Sequence, residues 1–173
     1  MKVEEVYFAM TKDLSQKLIN TWDWLNSYCL SKRDDQTLAC GDHAICIVQI
    51  DDYLARRAAW GPEKTKEVLK ELEDIMSAYA LEDTLIARYN DYTFVVVLHH
   101  LRDKSEVSEI CAEIQSSIND ACIGGSVPLT VSIGASECHH DPKCGYECAM
   151  SYALKALGLA QKSDGISITN GVA

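Results

Sequence analysis

Residues 84–99 read TLIARYNDYTFVVVLH: two runs rich in β-branched and aromatic side chains, with Asn90-Asp91 between them. Asn and Asp tolerate positive φ, so the pair predicts a two-residue hairpin turn joining two strands. Upstream, Ala44 to Ile50 (AICIVQI) is a short, nearly continuous apolar run, as expected of a strand buried on both faces. Downstream, Leu129 to Ala135 (LTVSIGA) reads as another strand, and Gly165 allows a last short one, ISI.

Helical periodicity fills the intervals. Val6, Met10, Leu14, Leu18, Ile19, Trp22, Leu25 and Leu30 recur at helical spacing, predicting an amphipathic helix over residues 4 to 30. A helix from about Asp52 is broken near Gly61-Pro62, since Pro suits the first turn of a helix. It resumes with Val68, Leu69, Leu72, Ile75, Met76 and Tyr79 on one face, to about Leu81. Asp103 followed by Glu106 reads as a capping box for a helix with Val107, Ile110, Cys111, Ile114 and Ile118 inward. After the polar loop SECHHDPKCGYE, Met150, Ala153, Leu154, Leu157 and Ala160 predict one more. The order α-β-α-α-β-β-α-β-α-β implies an α/β (α+β) fold, a mixed central sheet flanked by helices.

Composition agrees with one folded unit. The chain has 173 residues, 47% hydrophobic and 24% charged, which excludes a disordered or collagen-like polymer. Sixteen Lys and Arg against 26 Asp and Glu give a net charge of −10, and no stretch gathers enough basic residues to neutralise a run of phosphates. Nucleic-acid binding by this domain alone is therefore disfavoured. The opening MKVEEVYFAM is acidic where an export signal is basic, and no apolar run approaches the roughly 18 residues of a membrane span, so a cytoplasmic location is expected. In that setting the eight cysteines are expected as reduced thiols rather than a disulfide scaffold.

The hairpin phrase ARYNDYTFVVVL and the strand LTVSIGA resemble the GGDEF domain, the catalytic domain of diguanylate cyclases, in which the hairpin reads A-R-Y-G-G-[DE]-E-F and a later strand T-V-S-I-G. Ala87, Arg88, Tyr89 and Phe94 match at the hairpin and Thr130 to Gly134 at the strand; Ala153, Ala156, Leu157, Ala160 and Gly165 resemble the terminal A-D-x-A-L-Y-x-A-K-x-x-G phrase, with one residue inserted before the Gly. The resemblance covers roughly residues 44 to 170. It implies a βααββαβ nucleotide-cyclase-like core, with residues 1–43 as an N-terminal helix and connecting loop and residues 44–173 as a degenerate GGDEF-like domain.

The departures concentrate where the family handles chemistry. Two GTP molecules are joined there with the help of divalent metal held by carboxylates, which neutralises charge on the phosphates. On the family's D-x-D-x-F-K phrase, neutral Gln49 takes the metal-binding Asp position while Asp51 keeps the second acidic one. At the hairpin, Asn90-Asp91-Tyr92-Thr93-Phe94 stands for G-G-[DE]-E-F, so Tyr92 and Thr93 replace the two acidic residues. Asp91 sits one place early, where period-two alternation aims it at the other face. The residues that read guanine fall on Arg57 and Lys66, cations that only donate hydrogen bonds. Gly61 is kept, the following His is Pro62, the late Lys falls on Gln161 beside Lys162, and Leu81-Glu82-Asp83-Thr84 lacks the Arg of the product-inhibition phrase.

The resemblance therefore implies a catalytically inactive regulatory or dimerisation module of a bacterial signal-transduction protein, without a cofactor. Self-association through the N-terminal helix, or attached signalling domains, would supply its partners. Two other readings stand beside this one. An active cyclase, or another nucleotide-processing enzyme, could use Asp51 and Asp91 around an altered metal site. A metal or redox sensor could use Cys138, His139, His140, Cys144 and Cys148, whose thiolates and imidazoles suit zinc. His99-His100 reads as a strand-end pair, and Trp22, Trp24 and Trp60 as packing.

Overall fold

In the computed structural model the described residues are 20–21, 23, 27, 43–80, 84–99, 101–103, 105–121, 123, 129–138, 146–163 and 165–170. They form β1 (Asn20–Thr21), β2 (His43–Ile50), α1 (Tyr53–Ser77), β3 (Thr84–Asn90), β4 (Thr93–His99), α2 (Ser105–Asp120), β5 (Val131–Cys138), α3 (Tyr146–Ser163) and β6 (Ile166–Asn170). The six strands make one sheet in the order β1-β3-β4-β2-β5-β6. β2 runs antiparallel to β4 and β5, β3 antiparallel to β4, and β1 and β6 pair parallel with β3 and β5. The mixed α/β architecture expected from the element order is the one observed.

β2 is central, and its alternation explains its composition. Ala44, Cys46, Val48 and Ile50 face the helices α1 and α2, packing with Val68, Leu72, Met76, Val107, Cys111, Ile114 and Ile118. Ile45 and Ile47 face α3 and pack with Ala149, Ala153 and Leu157. A strand covered on both sides has no solvent face to reserve for polar residues, hence AICIVQI. Within the first layer Cys46 and Cys111 touch, Sγ to Sγ 3.7 Å. The hydrogen bond to Cys111 and burial push the Cys46 thiol well above its ordinary pKa, so it stays protonated. Cys46, Cys111 and Cys148 are free thiols.

The helices keep their sequence logic with adjustments. α1 is interrupted at Gly61, whose φ of 74° lies outside helical space, and Pro62 starts the second part. Thr65 Oγ donates back to the Gly61 carbonyl at 2.7 Å, closing the break. α1 ends at Ser77, short of Leu81, because Ala78, Tyr79 and Ala80 make tight three-residue turns. At the start of α2, Ser105 N–H donates to Asp103 Oδ1 (2.8 Å) and Arg102 N–H to Glu106 Oε2 (2.8 Å). Both capping carboxylates thus act, on donors shifted by one residue from the box expected.

Three expectations change. The hairpin turn is Asp91-Tyr92 rather than Asn90-Asp91: Asn90 pairs with Thr93, Arg88 with Phe94, and Tyr89 is the bulge. No positive φ is needed, because Asn90 Oδ1 accepts the Tyr92 N–H at 3.0 Å and fixes the turn through its side chain. The helix expected over residues 4–30 is absent at Asn20–Thr21, which pair with Ala87 and Arg88 as a strand; Asp23 and Ser27 are helical, and the rest lies outside the described residues. β5 extends to Cys138, past Ala135, because β2 pairs with it up to His43. No described helix is long and apolar enough to cross a membrane.

α3 lies unusually close to the sheet. Ala149, Ala153, Ala156 and Ala160 are fully buried, and a Cβ on Gly134 would collide with the Leu157 nitrogen and the Ala153 carbonyl, both backbone atoms. Neither can yield without moving the helix. Gly134→Ala is therefore expected to lower stability by about 1–3 kcal/mol or more, as overpacking does, read as a lower urea midpoint. At Gly61 space is open and only φ objects, so Gly61→Ala should cost about 1–3 kcal/mol. A second tie is Tyr79, whose hydroxyl reaches Ser117 Oγ (2.6 Å) and the Glu113 carbonyl (3.1 Å), joining the end of α1 to α2. Tyr79→Phe should cost about 0.5–1.5 kcal/mol in the same measurement.

Candidate functional site

Where β2 ends, the chain turns sharply into α1, and the hairpin turn folds over the same point. The Ile50 N–H donates to the Tyr92 carbonyl and the Asp51 N–H to the Thr130 carbonyl, each at 3.0 Å. Asp52 follows at φ 52°, ψ 28°, a left-handed conformation that Asp tolerates better than most residues. Its side chain makes no cap hydrogen bond to the helix. These turns enclose a cleft of about 450 Å³, lined by Gln49, Ile50, Asp51, Asp52, Tyr53, Leu54, Ala55, Tyr92 and Gln161.

Asp51 is the most firmly held group of the cleft. Its Oδ1 accepts a hydrogen bond from Ser132 Oγ at 2.7 Å, and its carbonyl accepts one from Arg56 Nε at 3.0 Å. Arg56 also donates to Thr130 Oγ at 3.4 Å, so one guanidinium spans the β2–α1 turn and the start of β5. Ser132 is fully buried on a strand of apolar neighbours, and a buried hydroxyl on such a strand is the one sequence signal that could have pointed to this contact.

The aromatic half is built from Tyr53 and Tyr92, whose rings stack at 4.6 Å with 19° between planes. Burial, followed by the negative charge of Asp91, raises the Tyr53 hydroxyl above its ordinary pKa, so it stays neutral. Tyr53 and Tyr92 lie far apart in the amino-acid sequence. Their meeting depends on the hairpin turn reaching the N-terminus of α1, a tertiary event.

The remaining candidates separate into distinct places. Gln49 and Gln161 line the cleft from β2 and α3. Thr93 is buried opposite Gln49 in the β2–β4 register, and Phe94 is in the core on the other face. Asn90 is spent on the turn. Asp91 sits in the turn itself, 65% exposed, with Oδ1 3.7 Å from the Arg88 guanidinium, and does not line the cleft. Arg88 also lies 3.8 Å from Glu73, linking hairpin to α1. Arg57 and Lys66 are exposed on α1 and do not line the cleft either, while Lys162 is exposed beside Gln161. Trp60 is half-buried against the core.

His139, His140 and Cys144 lie outside the described residues, as do the Cys138 side chain, Leu81-Glu82-Asp83, His100, Trp22 and Trp24. Cys148, on α3, is half-buried against the layer that holds Ile45, Ile47 and Ala149. Among the described residues, no group of three or more His, Cys, Asp or Glu is placed to hold a metal ion.

No functionally curated protein matches the sequence. Solved structures do match in fold. The GGDEF domain of DgcB from Caulobacter crescentus, in complex with c-di-GMP, superposes with a TM-score of 0.71 at 17% identity, covering 90% of this chain and 93% of that one. The FimX GGDEF domain from Pseudomonas aeruginosa gives 0.73 at 15% identity, with 87% and 94% coverage. Diguanylate cyclase SiaD from Pseudomonas aeruginosa, in complex with its activator SiaC, gives 0.76 at 18% identity, with 96% and 69% coverage. The family model described as diguanylate cyclase, GGDEF domain, matches residues 28–165. That span is most of the chain, and the chain belongs to the GGDEF domain family.

Proposed function

We propose that this GGDEF domain is catalytically inactive and serves as a regulatory or dimerisation module of a bacterial signal-transduction protein, acting in the cytoplasm. The observation that carries the reading is the Tyr53–Tyr92 stack beside neutral Gln49. At positions where the family motifs place carboxylates, the cleft presents an aromatic ring and an amide. Asp51 is the remaining acidic group at a matching position, and its Oδ1 already accepts the Ser132 hydroxyl.

The family's divalent metal fits this donor set poorly. Magnesium binds oxygen ligands and usually keeps several waters, with one or two carboxylates neutralising its charge. Gln49 supplies an amide oxygen, Tyr92 a phenol on a ring committed to Tyr53, and Thr93 is buried at the start of β4, so the cleft's carboxylates are Asp51, one oxygen of which accepts the Ser132 hydroxyl, and Asp52, which lies outside the positions that match the family's acidic pattern. Among the described residues none that lines the cleft is basic, so none of these replaces the metal as a counter-charge for phosphates. Arg57 and Lys66 stand at the positions matching the guanine-reading residues and reverse their hydrogen-bonding sense.

In this reading the fold is kept for what it presents to other proteins: the exposed outer side of α3, with Leu154 and Leu159, and whatever precedes β2 in the chain. Residues 1–43 act as the coupling segment and residues 44–173 as the module it addresses.

The purified protein incubated with GTP and Mg²⁺ or Mn²⁺ should form no cyclic dinucleotide and release no diphosphate, followed by chromatography of the nucleotides. Turnover that disappears in Asp51→Ala would establish instead an enzyme with an altered metal site. A companion variant, Gln49→Asp with Tyr92→Asp and Thr93→Glu, restores the acidic pattern. Its Mn²⁺ affinity, read by titration calorimetry, should exceed that of the unsubstituted protein by at least tenfold, about 1.4 kcal/mol.

A further inference from the structure

The cleft at the end of β2 lacks groups for a phosphate but holds groups for a cation. Asp51, half-buried, and Asp52, exposed, are the charged side chains among the described residues that line it. Ser132 donates to one oxygen of Asp51; no hydrogen bond from a described residue reaches the other, or either oxygen of Asp52. The nearby cations are engaged elsewhere. Arg56 donates to the Asp51 carbonyl and to Thr130 Oγ1, and Arg88 lies 3.7 Å from Asp91 and 3.8 Å from Glu73. Arg57 is exposed and does not line the cleft.

A second feature, independent of the carboxylates, also points to a ligand. Tyr53 is only 4% exposed and lines the cleft, yet its hydroxyl makes no hydrogen bond with a described residue. A hydroxyl on so buried a residue is ordinarily paired. Tyr92, stacked on Tyr53 at 4.6 Å, is itself half-buried, so part of the aromatic pair stays open. Gln49 and Gln161 bring amide oxygens from β2 and α3. Carboxylate, amide and phenol oxygens can all accept, and a flat ring lies beside them.

We propose that the cleft binds a small guanidinium compound, its planar cation paired with Asp51 and Asp52 and lying against Tyr92. A guanidinium carries five N–H donors in a flat fork and no acceptor, the complement of this set. It bonds a carboxylate through two parallel hydrogen bonds and stacks on aromatic rings, whereas an alkylammonium is a point charge that makes no use of flatness. The cleft's volume of about 450 Å³ is within the roughly 300–1,000 Å³ of small-molecule sites. Binding of this kind rests on the cleft being catalytically inactive, as proposed above; the bound guanidinium is then the signal that the regulatory module reads.

The test uses the full chain at low ionic strength and two probes of equal charge, agmatine with one guanidinium and putrescine with none. Titration calorimetry should show one agmatine per chain, bound about fivefold or more tighter than putrescine, the difference a cation against an aromatic face supplies. Asp52→Asn removes a charge while keeping a residue that tolerates the left-handed backbone, and should weaken agmatine about threefold or more. Tyr92→Leu should bring agmatine down to the affinity of putrescine. Thermal melts identify a variant that fails to fold; in that case Gln161→Glu, at an exposed position of α3, decides, and should tighten agmatine about threefold. Absence of agmatine binding, equal affinity for the two probes, or affinity unmoved by these substitutions overturns the proposal. GTP with Mg²⁺ is incubated in parallel. Failure of agmatine to bind a protein that does not turn over GTP overturns this ligand alone and leaves the inactive module standing; turnover of GTP overturns both.

Discussion

The structure depends on one constraint, the burial of both faces of β2. Antiparallel pairing with β4 and β5 satisfies its backbone, and the two helical layers cover its alternate side chains. Its two ends meet different surroundings. At the C-terminal end the strand passes Gln49 and Asp51 into the left-handed Asp52 and the start of α1, creating the cleft. At the N-terminal end it carries His43 between His99 and Cys138.

α3 packs closely on β5. Gly134 removes the Cβ that would hold the helix off, and the buried alanines let it settle. That approach brings Gln161 to the cleft from the far layer. A change of one side chain in β5 would therefore be felt at the cleft, through backbone displacement rather than through any direct contact.

In the function proposed for this domain, the cleft has lost charge opposite charge. A pocket for a metal–triphosphate needs carboxylates for the cation and donors for the phosphates. Here an aromatic stack and two amides share the cleft with Asp51 and Asp52, and one oxygen of Asp51 accepts the Ser132 hydroxyl. The domain keeps the framework of its family, and a framework does not fix the side chains it aims, which is why fold and activity have to be argued from different residues.

From β2 onward the order and type of the elements were legible in the amino-acid sequence, because periodicity reports burial directly: AICIVQI reads as a strand covered on both sides, and Val68, Leu72 and Met76 as one face of a helix, whereas Asn20–Thr21, within a stretch of helical spacing, form a strand. Gly61-Pro62 announced its break through backbone chemistry alone. The hairpin turn was misplaced by one residue, since the bulge at Tyr89 and the Asn90 side-chain bond choose between registers whose local sequences are equally acceptable. The Tyr53–Tyr92 stack, the Ser132–Asp51 hydrogen bond and the His99–His43–Cys138 row join residues tens of positions apart. Local pattern carries no information about such pairs: they exist because strand register and helix docking bring distant segments to one place, and that was decided only when the whole sheet had closed.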